Sequence, residues 1–224
     1  MAARTVVFDL DGTLLDTLED LWRSVNHALA WAGEPLRTRD DVRLFVGNGI
    51  RMLVARSLGE GRGGVEGLDP ARVDAVLAEF SRHYAAHAAD HTAPYPGVPE
   101  LLAELHEAGV GLAVVSNKAD FAVQSLVELH FPGCFDAVLG EDEAHGIRKK
   151  PAPDMVEGAL ARLGRGREGL VYVGDSEVDL LTAEAAGCPC VACAWGFRGR
   201  ACLAELGAEP IVDTPAELAR LLLA

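Results

Sequence analysis

Residues 6–16 read VVFDLDGTLLD, an apolar run that ends in two carboxylates, Asp9 and Asp11, and a Gly-Thr turn. If residues 4–9 form a buried strand, the alternation of side chains sends Asp9 and Asp11 to the same side, beyond the strand's carboxyl end. Open α/β sheets bind their ligands at that edge. Two carboxylates held this close repel each other, so they require a cation between them, a shared proton, or a division into nucleophile and acid. Each of these arrangements describes a functional site.

The sequence beyond residue 94 alternates short β-rich runs with segments of helical periodicity. This alternation predicts a doubly wound parallel α/β sheet of the Rossmann-like type. With the first strand at 4–9, the other strands are predicted at 111–116, 134–139, 169–174, 190–194 and 209–212. Helices are predicted at 98–108, 119–130, 153–163, 177–186 and 215–223.

Residues 17–92 read instead as mostly helical. They begin at Thr17 with Asp20 three positions on, the spacing of a capping box. The prolines at 94 and 96 mark the return of the chain, and the glycine-rich stretch 59–67 predicts an irregular loop. We therefore expect an α/β core formed by residues 1–16 and 93–224, with an all-helical cap domain at 17–92 inserted after the first strand.

Composition narrows the class of protein. The chain has 224 residues, of which half are apolar, and a formal net charge of −14. That charge disfavours binding to nucleic acid or to an anionic membrane. The apolar N-terminal run is cut by Asp9 before it could serve as a signal peptide, and five cysteines, an odd number, favour reduced thiols. We expect a cytoplasmic protein, and the sequence does not decide between a monomer and a homodimer.

Four separated segments carry polar groups that could meet: Asp9 and Asp11, VVSNK at 114–118, KKPAP at 149–153 and YVGDSEVD at 172–179. Three of these segments end predicted strands. Because parallel strands place their carboxyl ends on one edge, Asp9, Ser116 and Asp175 should converge. Lys150 lies in a loop that could reach the same edge.

This set of motifs resembles the haloacid dehalogenase superfamily, whose pattern is D-x-D-x-T, a strand-terminal Ser or Thr, a Lys, and an acidic pair such as GDxxxD. The superfamily also places a helical cap after the first motif. Within it, five stretches are most similar to phosphoglycolate phosphatases: DLDGTLLDT at 9–17, FVGNG at 45–49, PYPGV at 94–98, KPAPD at 150–154 and GDSEVD at 174–179. The resemblance implies a Mg²⁺-dependent phosphatase that hydrolyses a small phosphorylated metabolite, 2-phosphoglycolate, to glycolate and phosphate.

The resemblance also implies a role for each motif residue. Asp9 would be the nucleophile, whose attack on phosphorus gives an aspartyl-phosphate and divides one displacement into two. Asp11 would first protonate the leaving alkoxide and then deprotonate the attacking water. Lys150 would pair with Asp9 and the phosphoryl oxygens. The phosphate-binding groups would be Ser116, Asn117 and Lys150.

Mg²⁺ would relieve the repulsion between a carboxylate nucleophile and a phosphate dianion, and it prefers hard oxygen ligands. The metal residues implied by the resemblance are Asp9, Asp11 through its main-chain carbonyl, Asp175 and Asp179. Asp179 would either bind the metal directly or support the other ligands.

Two features of the predicted cap have alternative interpretations. Gly47, Asn48 and Gly49 precede an apolar helix; they are either a bare helix start or, with Arg51, a site for the substrate's anion. His83, His87 and His91 recur every four residues, which fits zinc ligation or a partly solvated helix face.

Other functions share these core motifs. A phosphomutase of the β-phosphoglucomutase type would return the phosphoryl group to a sugar, and a related phosphatase would act on a sugar phosphate or pyrophosphate. A phospho-acceptor signalling domain also uses Asp, Lys and Mg²⁺, although the helical insertion and Asp11 count against it.

Overall fold

The chain divides into two compact units. The computed structural model describes residues 2–60 and 64–224; residues 61–63, which belong to the predicted glycine-rich loop, lie outside the described residues. An α/β unit comprises Met1–Asp16 and Pro94–Ala224, and a helical unit comprises Thr17–Ala93.

The secondary structure follows the alternation of the sequence. The strands in chain order are β1 (Thr5–Phe8), β2 (Leu15–Asp16), β3 (Ala93–Pro94), β4 (Gly111–Ala119), β5 (Ala137–Glu141), β6 (Leu170–Gly174), β7 (Cys190–Cys193) and β8 (Ile211–Val212). The helices are α1 (Leu18–Trp31), α2 (Arg39–Phe45), α3 (Ile50–Gly59), α4 (Pro70–His87), α5 (Val98–Glu107), α6 (Asp120–His130), α7 (Asp154–Leu163), α8 (Glu177–Ala186), α9 (Gly199–Glu205) and α10 (Pro215–Leu223).

Within the described residues, six strands form one parallel sheet in the order β5-β4-β1-β6-β7-β8. The chain moves from β1 to β4 and β5 on one side and then returns to β6 on the other side. The direction of winding therefore changes beside β1, and ligands of open α/β sheets bind at such a switch point. The doubly wound α/β fold predicted from the sequence is confirmed.

Both faces of this sheet are covered by helices. Val6 and Phe8 of β1 pack into a cluster that includes side chains of α5, α6 and α10, whereas Val7 packs on the opposite face against α7 and α8. All three side chains are fully buried. Strands buried on both faces are continuous apolar runs, which explains why the first polar side chain after β1 marks its end.

Several elements differ from the sequence prediction. Strand β5 runs over Ala137–Glu141 instead of 134–139, and the two-residue strands β2 and β3 were not predicted. Strand β4 continues to Ala119 instead of ending at 116, with an irregular register against β5 between Val115 and Ala119. The start of α6 lies close to β5 at this point, because Gly140 has no side chain. A Cβ on Gly140 would lie 2.3 Å from Asp120 Cα. Helix α9 was not predicted, because seven residues are too few to establish a helical period.

The helical unit begins at Thr17, but the predicted capping box is wrong. Thr17 makes no side-chain cap hydrogen bond. Asp20 instead accepts hydrogen bonds from the amides of His91 and Thr92 and from Thr92 Oγ1. This carboxylate, 1% exposed, ties the start of α1 to the end of the same unit.

The histidine stripe is shorter than predicted, because α4 ends at His87 and His91 lies beyond it. The rings of His83 and His87 stack with centroids 4.3 Å apart, and His27 of α1 stacks on His83 at 4.1 Å. Among residues 2–60 and 64–224, these histidines do not form a group of three converging metal-ligand atoms. No helix in the same described ranges combines the length and apolar content needed to span a bilayer.

Candidate active site

Four polar side chains from three segments of the chain meet at the carboxyl edge of the sheet. Asp9 directly follows β1, and Asp175 directly follows β6. Asp179 lies in the first turn of α8, and Lys150 lies in the loop before α7. The structure brings these four side chains together although more than 140 residues separate Asp9 from Lys150.

The ammonium of Lys150 is the centre of this cluster. Its Nζ lies 2.7 Å from Asp9 Oδ1 and 2.9 Å from Asp179 Oδ1, and it donates to Tyr172 Oη at 3.2 Å. Burial alone would lower the pKa of Lys150, but the two carboxylates outweigh burial and raise it. Lys150 therefore stays positively charged in a position where only 3% of its surface is exposed.

A group of carboxylate oxygens beside Lys150 could hold a metal ion. Three carboxylate oxygens lie within 4.8 Å of one another, one from each of Asp9, Asp175 and Asp179. All three residues are buried. Burial, followed by repulsion from Asp179, raises the pKa of Asp9 from 3.8 to about 7 and raises that of Asp175 well above its ordinary value. A cation would remove this penalty, and clustered hard oxygens suit a divalent ion.

Asp179 is already held by protein donors. Its Oδ1 accepts from Lys150 and Tyr172, and its Oδ2 accepts from Ser176 Oγ at 2.6 Å and from the amides of Asp175 and Ser176. Although burial opposes ionisation, Lys150 and these hydrogen bonds lower the pKa of Asp179. The contacts favour the supporting role for Asp179 over direct metal ligation.

Asp175 sits in a cradle that two glycines create. A Cβ on Gly12 would lie 2.5 Å from Asp175 Oδ2, and one on Gly196 would lie 2.3 Å from Asp175 Cβ and from the carbonyl of Gly12. The amide of Phe197 donates to Asp175 Oδ2 at 2.6 Å. The sequence did not predict this contact of Phe197 with Asp175, because the two residues lie on different segments of the chain.

Ser116 and Asn117 lie on the extended end of β4. The Asn117 side chain bonds to the main chain of Lys150: Lys150 N donates to Asn117 Oδ1 at 2.7 Å, and Asn117 Nδ2 donates to Lys150 O at 3.1 Å. Ser116 Oγ accepts from the amide of Lys118 at 3.3 Å. The carboxamide of Asn117 therefore positions Lys150. A contact of the Asn117 main-chain amide with phosphate remains a prediction.

Asp11 is paired with a lysine to which sequence reasoning gave no role. Lys118 Nζ lies 3.2 Å from Asp11 Oδ2, and the Lys118 side chain is 4% exposed. The carboxylate of Asp11 is not in the group of converging metal-ligand oxygens. The available signal was the alternation of Lys118 with Ser116, which places both on the same side of an extended strand.

The predicted substrate-binding residues of the cap lie in the helical unit. Gly47 and Gly49 have φ of 128° and 85°, and α3 begins directly after Gly49. Asn48 Oδ1 accepts from Arg56 Nη2 at 2.7 Å, and the half-exposed Arg51 forms an ion pair with Asp74. A contact of these residues with substrate remains a prediction.

The sequence of this chain matches a known protein family and several proteins of known name. A family model described as haloacid dehalogenase-like hydrolase matches residues 6–193. Phosphoglycolate phosphatase of Caulobacter vibrioides is 37% identical over 211 residues, covering 94% of this chain and 86% of that protein. Phosphoglycolate phosphatase 1 of Pseudomonas aeruginosa is 36% identical over 219 residues, covering 96% and 78%.

A solved structure resembles the whole chain. It comes from Lactobacillus delbrueckii subsp. bulgaricus, and its assignment as a phosphoglycolate phosphatase is itself inferred. The two chains are 40% identical and match over 100% of each, with a TM-score of 0.96.

Proposed function

This chain belongs to the haloacid dehalogenase-like hydrolases, and from that premise we propose that it is a Mg²⁺-dependent phosphatase whose substrate is 2-phosphoglycolate. The observation that carries the chemistry is the contact of Asp9 with Lys150 at 2.7 Å inside a group of three buried carboxylates. The substrate is supported by the names of the relatives and by the resemblance of the stretches at 9–17, 45–49, 94–98, 150–154 and 174–179 to phosphoglycolate phosphatases.

Asp9 is the nucleophile in this proposal. Its carboxylate attacks phosphorus, the bond between phosphorus and the ester oxygen breaks, and an aspartyl-phosphate forms. The positive charge of Lys150 next to Asp9 offsets the repulsion between the carboxylate and the phosphoryl oxygens. Ser116 and the main-chain amide of Asn117 bind the remaining phosphoryl oxygens.

Asp9, Asp175 and the main-chain carbonyl of Asp11 would hold Mg²⁺, with Asp179 in support. When bound, the ion supplies positive charge that polarises the phosphoryl group and relieves the repulsion among the acids.

Asp11 acts as acid and then as base. It gives its proton to the ester oxygen as the leaving alcohol departs, and it takes a proton from the water that attacks the aspartyl-phosphate. This second displacement releases phosphate and restores the carboxylate of Asp9. Asp11 lies two residues beyond the nucleophile in a separate environment, paired with Lys118, which suits a division of roles between the two acids.

The remaining expectations from the sequence belong to the same proposal. Residues 47–49 and Arg51 select the non-phosphate end of the substrate, and the helical unit acts as the cap. The protein acts in the cytoplasm, as a monomer or a homodimer, and it does not require nucleic acid or a membrane.

The deciding experiment measures phosphate release from 2-phosphoglycolate beside sugar phosphates, pyrophosphate and an aryl phosphate, with Mg²⁺ and with a chelator. We expect a strong preference for 2-phosphoglycolate that the chelator abolishes and that Asp9→Asn eliminates. Metal-dependent hydrolysis of the other esters alone would retain the mechanism and exclude the substrate.

Two further outcomes would replace the proposal. Isomerisation of a sugar phosphate without release of phosphate would indicate a phosphomutase. A long-lived aspartyl-phosphate without turnover would indicate a phospho-acceptor domain.

A further inference from the structure

The chain has three lysines, and two of them lie at the candidate active site. Lys150 and Lys118 are 3% and 5% exposed, whereas Lys149 is only partly buried. Lys150 contacts the proposed nucleophile Asp9, and Lys118 contacts the proposed acid Asp11. Each proposed catalytic acid therefore has its own buried ammonium group.

The position of Lys118 is built into the fold. It lies in the irregular end of β4, where a Cβ on Gly140 would approach the carbonyl of Lys118 to 2.7 Å. The Lys118 amide also donates to Ser116 Oγ at 3.3 Å. The main chain at Lys118 is therefore closely packed against β5, and the Lys118 ammonium lies 3.2 Å from Asp11 Oδ2.

The buried ammonium of Lys118 would attract an anion on the leaving group of the substrate. Because Lys118 is only 5% exposed, little water screens this attraction, which is therefore stronger than it would be at the protein surface. A carboxylate on the leaving group would supply such an anion next to Asp11.

The short length of 2-phosphoglycolate would bring its carboxylate close to Lys118. Its ester oxygen must come within about 3 Å of Asp11 to receive the proton. Lys118 Nζ lies 3.2 Å from the same carboxylate. In 2-phosphoglycolate a single methylene separates the ester oxygen from the carboxylate, so the substrate's charge falls close to Lys118.

We propose that Lys118 is a specificity-determining residue that binds a carboxylate on the leaving group of the substrate. The assignment rests on the proposed phosphatase function and extends it. It places part of the substrate selection in the α/β unit, on the residue beside the proposed acid. The substrate class is a short phosphorylated hydroxy acid with its carboxylate next to the ester carbon.

The test compares two esters that differ only in this charge. 2-Phosphoglycolate carries a carboxylate, and 2-hydroxyethyl phosphate carries a neutral hydroxymethyl group in its place. The value of kcat/KM is measured for both esters in the wild-type protein and in Lys118→Met, Lys118→Arg and Lys149→Met. Lys149→Met is the matched control, because it removes the same charge from the neighbouring loop.

We expect the wild-type protein and Lys149→Met to prefer 2-phosphoglycolate by at least about 100-fold. Lys118→Met should lose on the order of 100-fold on 2-phosphoglycolate and less than about 10-fold on the neutral ester, so that the preference collapses. Lys118→Arg keeps the positive charge and should retain most of the preference. Equal losses on both esters in Lys118→Met would overturn the assignment, since Lys118 would then act only through Asp11.

A binding measurement separates this inference from the proposed function. Calorimetric titration of Asp9→Asn with 2-phosphoglycolate and with 2-hydroxyethyl phosphate requires no turnover. When Lys118→Met is added to Asp9→Asn, the affinity for 2-phosphoglycolate should fall and the affinity for 2-hydroxyethyl phosphate should not change. If Lys118→Met leaves the affinity for 2-phosphoglycolate unchanged, the role of Lys118 is refuted, even if no ester is hydrolysed. Hydrolysis of both esters at equal rates by the wild-type protein would retain the phosphatase and reject the role of Lys118.

If Lys118→Met fails to fold, Lys118→Arg decides. If neither the wild-type protein nor Lys118→Arg prefers 2-phosphoglycolate over 2-hydroxyethyl phosphate, a cationic site for the carboxylate is excluded.

Discussion

The side chain of Asn117 holds the main chain of Lys150 through two hydrogen bonds, of 2.7 and 3.1 Å, across 33 residues of sequence. The loop before α7 is thereby joined to the end of β4. Lys150 reaches Asp9 from a main chain that another strand of the sheet holds in place. The position of the proposed catalytic ammonium thus depends on a residue outside its own loop.

Asn117→Ala should therefore reduce kcat without removing any charged group. We expect a loss of about 10- to 100-fold, typical of residues that orient a catalytic group. Two buried main-chain groups of Lys150 lose a partner, so the free energy of unfolding should fall by about 1–3 kcal/mol. Steady-state kinetics and urea unfolding measure both effects. Gln124→Ala, which removes an exposed amide from α6, should change neither, and a fully active Asn117→Ala would contradict the positioning role.

The metal-free protein should lose stability as the pH rises from about 4 to about 7. Asp9 has a pKa of about 7 in the folded protein and an ordinary value of 3.8, so between these values the folded chain holds a proton that the unfolded chain has released. The stabilisation from this proton is fully present below the unfolded pKa and is lost as the pH passes the folded pKa, by up to about 4 kcal/mol.

Urea unfolding in the presence of a chelator, compared between the wild-type protein and Asp9→Asn across this pH range, isolates that contribution. The difference in unfolding free energy should become less favourable to the wild-type protein as the pH rises. Excess Mg²⁺ should restore the stability of the wild-type protein near pH 8. A difference that does not vary with pH would exclude a raised pKa at Asp9.

Asp11→Asn should uncouple the two halves of the proposed reaction. Without a proton donor and acceptor, kcat for 2-phosphoglycolate should fall about 10²- to 10⁴-fold. An aryl phosphate, whose leaving group needs no proton, should still phosphorylate Asp9, and the aspartyl-phosphate should then accumulate because water attack is slow. Mass spectrometry of acid-quenched protein detects that intermediate, and Asp9→Asn is the control that cannot form it. Normal turnover in Asp11→Asn would remove Asp11 from the mechanism.

Gly196→Ala should damage the cradle of Asp175. The added Cβ would lie 2.3 Å from Asp175 Cβ and from the carbonyl of Gly12, neither of which can move away easily. We expect a loss of stability of about 1–3 kcal/mol and a higher Mg²⁺ concentration for half-maximal activity. Gly166→Ala is the matched control, because a Cβ there meets nothing within 4 Å. An unchanged Mg²⁺ requirement in Gly196→Ala would show that Asp175 does not depend on this close approach.

Much of the α/β unit follows from local patterns. Helices α8 and α10 occupy the residues that periodicity predicts, 177–186 and 215–223. The ends of β1 and β6 are marked by the first carboxylate after a buried apolar run. The capping box at Thr17 failed because Asp20 has better partners at the other end of the same unit, which spacing within one helix cannot reveal.

The sequence by itself determined the parallel α/β sheet and the position of Asp9 and Asp175 at its carboxyl edge, since alternation, apolar runs and strand ends are properties of neighbouring residues. It also predicted Lys150 as a site residue through the resemblance of its motifs. Only the tertiary structure decided the partners of these groups. Asn117 with Lys150, Lys118 with Asp11 and Gly196 with Asp175 are each separated by more than 20 residues. The direction of a buried polar side chain is set by whichever donor or acceptor the packed fold places beside it, because a buried charge must find a partner and the partner need not be near in sequence.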